Sequence, residues 1–260
     1  MKHNFLSKIR MAMEVQRDFR HPNAYGLDPY LIQDDKKHPV AIICPGGGYG
    51  MVCSYVEGRP IAKKLNQLGI HAVIVYYRVR EKALYPAPLE DLAQAVREVH
   101  QKADEWNLDV DHYSVWGSSA GGHLVASFGT ERMGYSNYSL PKPGALILTY
   151  PVITMSQHTH QGTHDHFLGK NPTAEAEEMA SVEKQITPSY PPAFLWCGDA
   201  DTCVPPINSH MMAAALQDHG VPYEFAEYPG VDHGVGLGEG LACEDWFDRA
   251  VSFWKAQNVK

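Results

Sequence analysis

The stretch that decides the fold is Gly117-Ser118-Ser119-Ala120-Gly121-Gly122-His123. It follows the apolar run 113–116 and opens a helical pattern, so the predicted order is strand, sharp turn and helix. Gly-x-Ser-x-Gly in this context lifts one serine hydroxyl clear of a sheet, because the glycines remove Cβ atoms that would clash. The spacing predicts Ser119 as a nucleophile and leaves Ser118 as the variable position. The alternative is an ordinary strand–helix turn with no chemical role.

Short apolar runs alternate with helical periodicity on both sides of this stretch. The predicted strands are 40–44, 71–77, 113–117, 145–150, 193–197 and 223–227. The predicted helices are 61–68, 89–99, 122–128, 207–217 and 239–256. Alternation of this kind predicts an α/β fold with a mostly parallel sheet and helices on both faces. The more polar residues up to about 38 are predicted to add leading antiparallel strands.

A second glycine-rich stretch, Cys44-Pro45-Gly46-Gly47-Gly48-Tyr49, follows the strand at 40–43. Nucleotide binding is disfavoured, because the stretch has neither Gly-Lys-Ser/Thr nor Gly-x-Gly-x-x-Gly spacing. In α/β-hydrolases a glycine run after an early strand supplies the oxyanion-hole amides, together with the amide that follows the nucleophile. That pattern predicts Gly47, Gly48 and Ala120 as the oxyanion donors. A plain flexible loop is the remaining alternative.

A serine nucleophile needs a base, and the base needs an orienting carboxylate. Chain order in this fold predicts serine, then acid, then histidine, each after a strand. Two aspartates, Asp199 and Asp201, follow the strand at 193–197, and the chemistry alone favours Asp201 without excluding Asp199. His233 lies in a glycine-flanked turn after the last predicted strand and is the predicted base. A generic surface histidine is the alternative interpretation.

The segment 154–190 breaks the alternation, because it contains no clear strand. A long insertion between strands is usually functional when ordered, so we expect a small helical cap beside the active site within one domain spanning 1–260. Four histidines in it suggest a metal site: His158, His160, His164 and His166. Their spacing does not fit a binuclear metal centre and no further ligand follows in strand context, so we expect a solvated cap loop without metal or other cofactor.

Composition bounds the class of protein. The 260 residues are 44% hydrophobic and carry 22 Lys+Arg against 30 Asp+Glu, a net charge of −8, which disfavours nucleic acid and anionic membranes as partners. Five cysteines without a Cys-x-x-Cys pattern predict buried free thiols. No signal-peptide pattern is visible in 1–14 and no apolar run is long enough to span a membrane, so a cytoplasmic location is expected.

Taken together, the motifs resemble α/β-hydrolase serine esterases of the small carbohydrate-esterase kind, similar to acetyl xylan and feruloyl esterases and near the hormone-sensitive-lipase group. The stretches that carry the resemblance are Pro45–Tyr49, Glu57–Ala62, Tyr77-Arg78, Tyr85–Asp91, Gly117–His123, Pro191–Phe194, Asp201–Pro205 and His233-Gly234. The family places its acid at the Asp of Asp-x-x-Val-Pro, which implies Asp201. Pro45 stands where many hormone-sensitive-lipase relatives carry histidine, which favours the carbohydrate-esterase branch.

The resemblance implies a serine carboxylesterase that hydrolyses short acyl esters, acetyl esters of carbohydrates above all, without a cofactor. Its expected partner is a small ester, and self-association through sheet edges is compatible with the sequence. Two alternatives stay open. One is a small peptidase of the prolyl-oligopeptidase type, and the other is a non-catalytic binding protein on a hydrolase scaffold.

Overall fold

The computed structural model describes residues 23–257, and their centre is a seven-stranded sheet in the order β1-β3-β2-β4-β5-β6-β7. Its strands are β1 Gly26–Tyr30, β2 His38–Cys44, β3 His71–Tyr76, β4 Leu108–Ser118, β5 Ala145–Thr149, β6 Ala193–Gly198 and β7 Tyr223–Tyr228. β1 pairs with β3 antiparallel, and every other pairing is parallel. Two predictions fall wholly or partly on residues 1–22, which lie outside the described residues: the absence of a signal peptide and the first part of the leading antiparallel strands.

Eight α-helices connect or follow these strands within the described range. They are α1 Ser54–Glu57, α2 Arg59–Gln67, α3 Ala87–Gln101, α4 Ser119–Phe128, α5 Gln161–Leu168, α6 Ala174–Ala180, α7 Ile207–Asp218 and α8 Trp246–Gln257. Short 3₁₀ turns occur at Arg80–Lys82 and Val182–Lys184. No helix among residues 23–257 combines the length and the apolar character needed to cross a membrane.

Helices cover both faces of the sheet, as predicted. Successive side chains of a strand point to opposite faces of the sheet, so Tyr113 and Trp116 of β4 lie on opposite faces. The ring of Tyr113 packs on His100 of α3 at 5.0 Å between ring centres, whereas Trp116 packs on Phe247 of α8 at 5.7 Å. All of β3 and most of β2 are buried between these layers, which accounts for their continuous apolar sequence.

Two local predictions differ from the structure. The last helix begins at Trp246 rather than at residue 239, because Gly240 has a φ of +74°, which a right-handed helix does not accommodate. All five cysteines are free, as predicted, but their burial varies. Cys203 is exposed and Cys53 is only half-buried, so the prediction of uniformly buried thiols is wrong for these two.

Candidate active site

The turn between β4 and α4 holds Ser119 in a strained conformation. Its φ is +54°, in the left-handed region that residues with a Cβ atom rarely occupy. The flanking glycines make the turn sterically feasible: a Cβ atom on Gly117 would lie 2.3 Å from the Gly121 carbonyl oxygen, and one on Gly121 would lie 2.0 Å from that of Cys44. The helix begins at Ser119 itself, so the Ala120 amide belongs to its first turn, where backbone donors have no intrahelical partner.

Ser119, His233 and Asp201 form a continuous hydrogen-bonded chain. Ser119 Oγ lies 2.8 Å from His233 Nε2, and His233 Nδ1 lies 2.7 Å from Asp201 Oδ2. The Asp201 side chain is fully buried, and that of His233 is 15% exposed. Nδ1–H therefore donates to the carboxylate, which leaves Nε2 as the acceptor for the serine proton. The three residues come from the ends of β4, β6 and β7, on one edge of the sheet.

The two aspartates after β6 have different surroundings. Asp201 Oδ1 accepts the amides of Cys203 and Val204 at 2.9 and 2.8 Å, which holds its other oxygen toward His233. Asp199 is exposed and accepts the Gly230 amide at 2.7 Å. The geometry therefore brings Asp201, and not Asp199, to the histidine.

The glycine-rich loop after β2 lies directly against the nucleophile. A Cβ atom on Gly46 would be 2.7 Å from Ser119 Cβ, and the Gly46 amide donates to Glu57 Oε2 at 2.7 Å. Gly47 and Gly48 have φ values of +122° and +62°, and within residues 23–257 their amides donate to no protein oxygen. Gly47 and Gly48 thus follow the residue that packs on the serine and carry unengaged amides, the kind of donor that an oxyanion hole requires.

The cap histidines are not a solvated loop, and that prediction is wrong for three of the four. His158 is exposed, but His160 caps α5 by accepting the Thr163 amide at 3.2 Å. His166 Nδ1 donates to the Gly48 carbonyl at 2.8 Å, and the His160 ring also faces Gly48. Two side chains of the insertion 154–190 therefore contact the predicted oxyanion loop at Gly48.

His164, the fourth cap histidine, lies in an ion-pair cluster within the insertion. Its Nδ1 and Nε2 each lie 3.0 Å from a carboxylate, of Asp165 and Glu177 respectively. Burial opposes the charged form, but the two carboxylates raise the pKa of His164 overall. The cluster joins α5 to α6 and accounts for part of the acidic run that the sequence shows.

Sequence reasoning assigned no role to His123, although it ends the Ser119 motif. The structure places it fully buried between two segments: Nδ1 accepts the Tyr49 hydroxyl at 3.0 Å, and Nε2–H donates to the Ala180 carbonyl at 2.9 Å. Desolvation lowers the pKa of His123 to about 4, so the ring is neutral. Only its position in the motif could have drawn attention to it, because its partners are 57 and 74 residues away.

One group of side chains with metal-ligating chemistry comes together among the described residues: Cys197, His210 and Glu227, whose ligand atoms lie within 4.8 Å of one another. His210 Nε2 lies 2.9 Å from Glu227 Oε1, and burial raises the pKa of the Cys197 thiol to about 12. A surface ion pair and a protonated buried thiol account for these side chains, and we assign no metal to them.

The fold defines the class: the protein is an α/β-hydrolase. Residues 27–216 match the BD-FAE family. An acetyl ester-xyloside bifunctional hydrolase from Caldicellulosiruptor lactoaceticus is 32% identical, with a TM-score of 0.83 over 92% of this chain and 90% of that one. The chain therefore belongs to the BD-FAE family, which confirms the resemblance to small carbohydrate esterases.

Two curated relatives extend the comparison. Endo-1,4-beta-xylanase B of Butyrivibrio fibrisolvens is 31% identical over 255 residues, and an acetylxylan esterase of Xylanibacter ruminicola is 30% identical over 218 residues. These alignments cover 93% and 81% of this chain but only 40% and 44% of the relatives, so the chain spans less than half of their length. The esterases among these relatives make this an ester-hydrolase family.

Proposed function

We propose that the protein is a serine carboxylesterase that hydrolyses short acyl esters, with acetyl esters of carbohydrates as its main substrates. The observation that carries the proposal is the chain from Ser119 Oγ through the His233 ring to Asp201 Oδ2, with links of 2.8 and 2.7 Å. Relatives named as acetylxylan esterase and acetyl ester-xyloside hydrolase support the substrate class. The net charge of −8 supports a small neutral substrate rather than nucleic acid or an anionic membrane.

In the proposed mechanism, His233 Nε2 accepts the proton of Ser119 as the serine oxygen attacks the ester carbonyl. Asp201 orients the ring and stabilises the imidazolium that forms. The amides of Gly47, Gly48 and Ala120 bind the oxyanion. The C–O bond to the alcohol then breaks, and His233 returns the proton to the leaving oxygen. His233 then takes a proton from a water molecule that attacks the acyl-enzyme, and it returns that proton to Ser119 Oγ as the acyl–oxygen bond breaks and the acid is released.

We further propose that residues 154–190 act as a cap on a single catalytic domain. The contact from His166 to the Gly48 carbonyl supports a cap that borders the acyl site. The His160 ring faces the same glycine, so both imidazoles would lie close to a bound ester. A cap this near to the oxyanion loop restricts the room for a long acyl chain.

Two substitutions test the chemistry. Ser119→Ala should lower hydrolysis of an aryl acetate by at least about 10³-fold, because the nucleophile is lost. The matched control is Ser118→Ala: the Ser118 hydroxyl accepts a hydrogen bond from Thr149 at 2.7 Å, so this variant should keep activity within about threefold. Ser119-independent hydrolysis would refute the proposal.

A substrate panel tests the specificity. Acetylated xylo-oligosaccharides, an aryl acetate, an aryl octanoate and a hydroxycinnamate ester are compared at matched concentration. We expect the acetyl esters to be turned over fastest and the octanoate slowest. Equal rates on acetate and octanoate would contradict the short-acyl assignment without affecting the serine mechanism.

A further inference from the structure

A carboxyl group that the mechanism does not use is buried directly behind the active site. Glu57 ends α1 and is only 4% exposed. Charged side chains are rarely buried this far without a compensating partner, because desolvation is costly. Glu57 Oε2 accepts the Gly46 amide at 2.7 Å, and the Tyr150 hydroxyl is a second donor group, close enough that Glu57 and Tyr150 each shift the pKa of the other. A carboxylate only accepts hydrogen bonds, so two donors fit its ionised form.

The first donor connects Glu57 to the nucleophile. Gly46 is wedged between the two: a Cβ atom there would lie 2.9 Å from Glu57 Oε2 and 2.7 Å from Ser119 Cβ. The hydrogen bond from the Gly46 amide therefore sets the position of the loop that continues into Gly47 and Gly48. A shift of the carboxylate would move that loop relative to the serine.

The second donor connects Glu57 to the base. The Tyr150 ring packs edge-on against His233 with 4.8 Å between ring centres. Tyr150 has a φ of +38°, a strained value that the surrounding contacts must maintain. Its hydroxyl also accepts the Gly236 amide at 3.2 Å, which anchors the loop after His233. One carboxylate thus reaches both the oxyanion loop and the histidine loop.

Glu57 and His233 also interact through charge. Burial raises the pKa of Glu57, and the pKa stays raised overall although the Gly46 amide, the charge on His233 and the Tyr150 hydroxyl oppose that rise. An anionic Glu57 would in turn stabilise the imidazolium that forms when Ser119 attacks. Within the described residues, the titratable groups that face this pair are Asp201, Tyr150, Tyr77, His160, Asp232 and Cys203.

We propose that Glu57 is a positioning residue of the esterase reaction: its carboxylate holds the oxyanion loop and Tyr150 in place and adds negative charge behind His233. The inference rests on the proposed function, because it assigns Glu57 a part in the same serine mechanism. It assigns no contact with substrate. Glu57 acts through Gly46 on one side and through Tyr150 and His233 on the other.

The test compares Glu57→Gln with the native protein by the pH profile of kcat and kcat/KM on an aryl acetate. We expect kcat to fall about tenfold with KM nearly unchanged, because the loop and the imidazolium lose support. Without the negative charge His233 is protonated less readily, so the acidic limb of kcat/KM should move to lower pH by roughly half a unit or more. Thermal unfolding is followed in parallel.

The matched control is Glu183→Gln, which replaces a half-buried carboxyl of the insertion whose pKa, like that of Glu57, is raised by burial. Its profile should equal that of the native protein. A native profile in Glu57→Gln, or a fall in kcat with an unmoved acidic limb, would overturn the proposal, because a merely structural role predicts the latter. Equal changes in the Glu183 variant would overturn it as well.

Two further measurements keep the result decisive. If Glu57→Gln does not fold, Glu57→Asp retains the charge but withdraws the carboxylate by one methylene. We expect Glu57→Asp to lower kcat while the acidic limb of kcat/KM stays at its native pH. A native kcat in this variant would refute the proposal. Ser119→Ala is assayed alongside: activity that survives in it refutes the serine mechanism itself, whereas Ser119-dependent activity that is indifferent to Glu57 refutes only this inference.

Discussion

The strand ends and the cap contribute to the same site by different means. Ser119, Asp201 and His233 each follow a strand of one parallel sheet, so the sheet brings them together although they are 32 to 114 residues apart. The proposed cap at 154–190 has no strand, and its polar contacts with the site include the His166 side chain and the Ala180 carbonyl. In the proposed mechanism the strand ends place the reacting groups, and the proposed cap restrains the loop that would receive the oxyanion.

Among tests of this comparison, the largest loss of activity is expected from a substitution just after β6. Asp201→Asn should lower kcat by about 10³-fold or more, because His233 loses the carboxylate that sets its tautomer and stabilises its charge. Asp199→Asn is the matched control, and its exposed position predicts activity within about threefold. Steady-state rates on an aryl acetate decide it. Equal losses in the two variants would contradict the assignment of Asp201, rather than Asp199, as the carboxylate that acts on His233.

The contact between the two regions should be sensitive to pH through His123. The unfolded chain binds a proton on this residue near pH 6.5, whereas the folded protein does so only near its lowered pKa of about 4. Stability from the neutral ring is therefore complete above pH 6.5 and is lost as pH falls toward 4, by roughly 3 kcal/mol.

Urea unfolding at pH 7 and at pH 4.5 measures this loss in the native protein and in His123→Gln. The variant has no group to titrate at this position, so its stability should fall less between the two pH values. The same fall in both proteins would mean that other groups account for the whole acid sensitivity and would contradict the lowered pKa of His123.

The smallest effect is expected where the cap meets the oxyanion loop. His166→Ala removes the donor to the Gly48 carbonyl and should lower kcat about tenfold, less than the roughly 10²–10³-fold cost of losing an oxyanion donor outright. His158→Ala is the control within the same segment, because His158 is exposed, and it should retain native kcat. If both variants behave alike, the cap has no influence on the loop.

Hydrophobic patterning predicted the regular strands and helices. It did not predict the polar contacts that depend on packing between residues far apart in the chain. Strand and helix periodicity located the sheet, and the family resemblance is confirmed by the match over residues 27–216. Hydrophobic periodicity does not predict which polar side chains of an irregular insertion are buried, so His166 was interpreted as solvated. Glu57 shows the same limit: it begins one of the stretches that carry the family resemblance, but nothing local predicts that its carboxylate is buried against Gly46 and Tyr150.

The central claim is that Ser119 forms a covalent acyl-enzyme, and trapping that intermediate tests it most directly. The protein is acid-quenched during turnover of an aryl acetate, digested and analysed by peptide mass spectrometry. We expect a single acetyl group on the peptide that contains Ser119, localised to that residue and absent from Ser119→Ala. An acetyl group on another residue, or turnover without any acetylated peptide, would contradict it.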